Sequence, residues 1–113
     1  MSPARCETLL WAAQRASAAV LALGMAAHLA GMIYAVRGGL TAAEILGRTQ
    51  GNTALALAYG AFVVAVGIHA PIGLRAVLVE WAGWRGRAAD WTAAAVALIL
   101  VALGLRAVWA VTA

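Results

Sequence analysis

Two histidines, His28 and His69, lie inside stretches that otherwise read as membrane-spanning, residues 11–36 and 53–79. Hydrocarbon disfavours ionisable groups, so an intramembrane histidine is a functional candidate by default. Imidazole is also the common axial ligand of buried haem iron. A short basic chain with one histidine in each of two apolar spans therefore points to a haem-carrying membrane anchor. The plainer alternative is that each imidazole makes one interhelical hydrogen bond and nothing more.

The spans that position these histidines follow from composition. Of the 113 residues 65% are hydrophobic, 11% are charged, and the basic residues are all arginine. Soluble domains carry roughly 25% charged residues, so this chain cannot clothe itself in polar groups and takes a bilayer as its solvent. Apolar runs at about 9–36, 53–79 and 91–111 each supply the roughly 20 residues that cross a ~30 Å hydrocarbon core. Gly38-Gly39 ends the first run, and a polar loop through Glu44, Arg48, Gln50 and Asn52 is expected after it. Glu80-Trp81 ends the second, and a short turn over residues 82–87 leads to the third. The expected fold is all-α: one transmembrane unit of three helices over residues 1–113, forming part of a larger helical bundle. The apolar run from Leu9 is longer than a signal-peptide core and is read as a retained helix. Cys6 stands alone and supports neither a disulfide nor a thiolate metal site.

Arginine placement sets the expected orientation. Arg5, Arg85 and Arg87 fall on one side, with Arg15 and Arg75 within snorkelling reach of it; Arg37, Arg48 and Arg106 belong to the other. The positive-inside rule then puts the N-terminus in the cytoplasm of a bacterial-type inner (plasma) membrane, and Trp11, Trp81, Trp84 and Trp91 on the inner boundary. Tyr34 and Tyr59 fall toward the outer side as packing or interface anchors.

Around each histidine the neighbours have a helical spacing. Ser17, Leu21, Gly24, His28 and Gly31 share one face of the first helix by the i, i+3, i+4, i+7 rule. Gly24 and Gly31 leave side-chain volume that a flat macrocycle, or equally another helix, can use. In the second span, His69-Ala70-Pro71-Ile72-Gly73-Leu74-Arg75 sets Gly73 one turn from His69 and brings a cation to the same level. Pro71 frees the carbonyl of Gly67, so a bend is expected there. His28, His69, Gly24, Gly31, Gly73 and Arg75 form the candidate cofactor set, with the two histidines as the metal ligands.

Depth separates the two histidines. His28 is thirteen residues from Arg15, about 20 Å along the axis, and His69 is six residues from Arg75, about 9 Å. If both arginines mark the inner surface, the histidines are offset by about 10 Å, with His28 nearer the outer leaflet. One chain cannot easily place both on opposite faces of one haem, so each needs a partner histidine from another chain.

The residues also resemble a known family. Arg15-Ala16-Ser17-Ala18 is similar to the Arg-x-Ser-Gly element that opens the first helix of succinate dehydrogenase and fumarate reductase cytochrome b anchors. His69-x-x-x-Gly73-Leu74-Arg75 followed by Glu80 resembles their second-helix pattern His-x-x-x-Gly-Ile-Arg-His-x-x-x-Asp. The length and three-helix layout extend the resemblance over almost the whole chain. It implies haem b on His69 and, as in members with two haems, a distal haem on His28, giving two haems per pair of anchor chains. Gln14 stands where many members have histidine, Ala18 for glycine, Ala76 for histidine and Glu80 for aspartate. These departures touch quinone and propionate contacts and leave the iron ligand in place.

By the same resemblance, quinone lies near the inner ends of the helices, lined by Arg15 and Ser17 with Trp11 as an apolar wall. Arginine offers a fixed charge and several donors to a quinone or a haem propionate; its plainer role is snorkelling to lipid phosphate. The implied partners are an iron–sulfur subunit, a flavoprotein subunit, a second anchor chain (a copy or a paralogue) and membrane lipid; no nucleic acid is expected. The chain has no nucleotide-binding motif and no cysteine cluster, so dicarboxylate chemistry would belong to the partners. Its own role would be non-catalytic electron transfer between the iron–sulfur subunit and quinone. A small dimeric transporter is an alternative that wants a membrane-embedded carboxylate, whereas Glu7, Glu44, Glu80 and Asp90 all fall at boundaries or in loops. A haem-free scaffold that docks a soluble enzyme is another.

Overall fold

In the computed structural model of the chain, which describes residues 1–113, helix α1 (Pro3–Gly38) begins six residues before the expected apolar span. Ser2 is the reason: its side chain accepts from the backbone N–H of Arg5, and Pro3 at the first helical position needs no partner for a missing N–H. At 36 residues this helix is about 54 Å long, more than a ~30 Å hydrocarbon core needs. It ends where Gly39 adopts a φ of 114°, a conformation that favours a residue without Cβ.

The stretch expected to be a polar loop contains a second, short helix, α2 (Ala42–Thr49). Thr41 and Glu44 form a reciprocal capping box, each side chain satisfying the other residue's backbone N–H. Arg48 of α2 reaches back, its guanidinium donating to the carbonyl of Gly39 at 2.6 Å. Asn52 then caps α3 (Thr53–Glu80) by accepting from the N–H of Leu55, and α3 runs through Pro71 without a break in its helical span. A loop with two glycines at positive φ, Gly83 and Gly86, leads into α4 (Arg87–Thr112). Three of the four helices, α1, α3 and α4, are long and apolar enough to cross a membrane.

Helix α3 is central, packing against both α1 and α4. Small residues set the approach, as they must where lipid tails remove any hydrophobic drive between helices. A Cβ added at Gly104 of α4 would lie 2.6 Å from Val63 of α3, and Gly67 of α3 faces Val101 of α4 in the same way. Where α3 ends and α4 begins, Arg75 donates to Asp90 at 2.6 Å. At the opposite end, the N–H of Gly51 donates to the carbonyl of Thr112 at 2.9 Å. Only five of 113 residues are buried, and the hydrophobic ones among them are small: Ala65, Ala89 and Ala93. Leu23, Leu57, Leu98 and Trp109 are all at least 70% exposed. A molecule measuring 50 × 25 × 22 Å without a large buried side chain is built for lipid and further helices as its surroundings.

The capping box gives α2 a pH dependence. Hydrogen bonds from the Thr41 side chain and backbone hold the Glu44 carboxyl below its ordinary value of 4.5. The stabilisation is therefore full above about that value and is lost as pH falls through the lower folded-state value. Amide exchange over residues 44–48 should quicken on acidification of the wild type, and in Thr41→Ala it should already be fast at neutral pH. Equal protection in both proteins at neutral pH would contradict a helix held by this box.

Candidate functional site

The antiparallel packing of α1 on α3 brings the two histidines to two different levels. Gln14 lies against Gly73, Ser17 against His69, Gly24 against Phe62 and His28 against Tyr59. Along α3, Tyr59 and His69 are ten residues apart, and along α1, Ser17 and His28 are eleven; at 1.5 Å per residue the levels differ by about 15–16 Å. The arginine markers gave about 10 Å because they are not level. With Gln14 against Gly73, Arg15 stands near Ile72, so Arg75 lies closer to the N-terminal end of the bundle.

At the first level, His69 is half-buried and Ser17 is 5% exposed. The Ser17 hydroxyl donates to the backbone carbonyl of Gln14 at 3.0 Å, and its oxygen lies 3.4 Å from His69 Nδ1. The Gln14 amide fills the space that Gly73 leaves: a Cβ on Gly73 would sit 3.3 Å from Gln14 Nε2. Gln14 Oε1 is buried and has no hydrogen-bond partner, a costly condition for an amide oxygen away from water. Arg15 and Trp11 do not share this interface. Both are exposed, and the Arg15 guanidinium stacks 5.3 Å from the Trp11 ring centroid. The structure thus divides the three residues expected around a quinone, leaving Arg15 with Trp11 and bringing Ser17 to His69. Arg75 is likewise turned from His69 toward α4, where it pairs with Asp90.

At the second level, His28 meets Tyr59 edge-on, with ring centroids 6.1 Å apart and planes at 70°. Both line a cavity of about 600 Å³ that also takes in Gly31, Tyr34, Arg48 and Phe62. Its size falls within the range of small-molecule and cofactor sites, roughly 300–1,000 Å³. Arg48 sets a guanidinium 5.9 Å from the Tyr34 ring, at the wall that α2 contributes. Gly31 faces open space, whereas the volume left by Gly24 is taken by Phe62, whose Cδ2 would be 2.5 Å from a Cβ there. Of the three glycines in the expected cofactor set, only Gly31 is open.

No three His, Cys, Asp or Glu side chains come together. Each histidine is therefore a lone donor, and no set of side chains in this chain encloses a metal by itself. Gln14, Tyr59, Phe62 and Arg48 were not among the expected site residues. Gln14 was open to discovery, since it lies three positions before Ser17 on the same face. The others join the site only through the α1–α3 register and the presence of α2.

No curated protein and no solved structure matches the chain. A family model does, described as the succinate dehydrogenase/fumarate reductase transmembrane subunit, and it matches residues 1–106. Three helices long and apolar enough to cross a membrane and a match over nearly the full length agree, and the chain belongs to the succinate dehydrogenase/fumarate reductase transmembrane subunit family.

Proposed function

We propose that the chain is a haem b anchor in a succinate dehydrogenase/fumarate reductase-type complex of a bacterial-type plasma membrane. It would stand between an iron–sulfur subunit and membrane quinone, with the flavoprotein subunit beyond, and its N-terminus would face the cytoplasm. The observation that carries this reading is His69, a lone imidazole held by Ser17 at the α1–α3 interface within the family's transmembrane subunit. The donor chemistry fits haem b, because a single imidazole half-buried in an apolar bundle is what an axial site needs. When bound, haem b supplies a one-electron carrier across the low-dielectric part of the membrane.

The chain's own residues divide the remaining tasks. His69 would hold iron at the level nearer the N-terminal end, and His28, beside the 600 Å³ cavity, would hold a second. A second anchor chain, whether a copy or a paralogue, would complete each ligand pair. Quinone would approach Arg15 and Trp11, where a fixed guanidinium and an indole face offer a charge and an apolar wall. Gln14 Oε1, at the α1–α3 interface and apart from that exposed pair, is buried without a hydrogen-bond partner.

The test is the absorption spectrum of the intact complex. His69→Ala, correctly inserted, should lose at least one reducible b-type signal; an unchanged spectrum would remove His69 from the iron. Arg15→Ala should slow quinone reduction several-fold while haem content stays at the wild-type level. Untouched quinone activity with normal electron input would leave Arg15 as a lipid anchor only.

A further inference from the structure

Ser17 forms the hydrogen-bonding contact that joins α1 to α3, and its hydroxyl has only one proton to give. Two acceptors compete for that proton, the backbone carbonyl of Gln14 at 3.0 Å and His69 Nδ1 at 3.4 Å. A carbonyl oxygen can only accept, whereas an imidazole nitrogen can be either donor or acceptor according to its tautomer. Serine inside a helix characteristically turns its proton back to the carbonyl three or four residues earlier. The shorter distance is the one to Gln14, so the Ser17 proton goes there and a lone pair of its oxygen faces His69. The ring nitrogen that meets that lone pair must carry the hydrogen.

We propose that Ser17 is a positioning residue that holds His69 in the Nδ1–H tautomer, leaving Nε2 with the free lone pair. Only an unprotonated ring nitrogen can bind a metal, and the hydrogen bond made by the other nitrogen decides which one that is. The hydroxyl also fixes the ring's rotation about its stem, since Ser17 is itself almost fully buried and bonded to its own helix. His28 provides the contrast within the same chain. Its ring is exposed and has Tyr59's ring edge-on beside it, so nothing comparable selects its tautomer. The value of Ser17 to an iron site rests on the reading of His69 as a haem ligand, but the tautomer itself belongs to the chain alone.

That separation decides the experiment. The full chain, labelled with ¹⁵N-histidine and held in detergent micelles without haem, reports each ring's tautomer through its nitrogen shifts. Wild-type His69 should show a protonated Nδ1 and an unprotonated Nε2. Ser17→Ala should reverse the population toward Nε2–H, and Ser17→Thr, which keeps a hydroxyl, should restore it; His28 should be unaltered in both. A wild-type His69 in the Nε2–H form would overturn the proposal, as would a Ser17→Ala spectrum identical to wild type. In the intact complex, Ser17→Ala should raise the midpoint potential of the haem lost in His69→Ala, because a ligand deprived of its hydrogen-bond acceptor is less basic. An unmoved potential would overturn the role toward iron. The expected tautomers in a complex whose haem survives His69→Ala would leave the hold on the ring intact and remove the haem reading alone.

Discussion

The contact between α1 and α3 governs what every other residue in the chain can do. It is not a hydrophobic core in the soluble sense, because apolar side chains lose nothing by staying in lipid. It is a register, fixed where Phe62 enters the gap left by Gly24 and where the Gln14 amide enters the gap left by Gly73. A slip of one turn along that seam would drive Phe62 against a helix face bearing side chains and would part Ser17 from His69. The hydrogen bond between Ser17 and His69 therefore depends on the same packing that sets how far apart the histidines stand.

From that register the functional geometry follows with few further assumptions. Histidines about 15–16 Å apart along the bundle cannot bind opposite faces of one iron, whose two axial nitrogens lie within a few ångströms of each other. The chain has no third histidine, so a bis-histidine site at either level needs an imidazole from outside. The surface is prepared for such company. Only five residues are buried, α1 and α4 both lean on α3 without closing extensively on each other, and Gln14 keeps an acceptor with no partner. Each of these is expensive or wasteful in a free-standing bundle and unremarkable in a subunit.

Much of this was legible in the sequence, and the parts that were not have physical causes. The long helices and the two intramembrane histidines could be read from composition and position, because a bilayer imposes a length and penalises charge. The order of the histidines along the bundle could be read from the arginines, but their separation could not. Snorkelling side chains reach an interface from different depths, so Arg15 and Arg75 are unequal rulers. Helix α2 is hidden in the sequence even though Thr41 and Glu44 have the capping-box spacing; a short helix among polar residues has too little periodicity to announce itself. Glycine was the most ambiguous signal. Gly24, Gly31 and Gly73 look alike in sequence, yet a neighbouring side chain fills the first and last and only Gly31 opens on a cavity. Ser17 reads as part of a motif with Arg15, although a helix turns two residues apart to nearly opposite faces.

Central to this account is the proposal that the two histidines serve two separate irons, and a redox titration of b-type absorbance in the intact complex tests it most directly. Wild type, His28→Ala and His69→Ala would be compared at equal subunit content. The account predicts two components in the wild type, one missing from each variant while the other keeps its potential. A single component that disappears with either substitution would mean that both histidines share one iron, and would contradict the register on which the account depends.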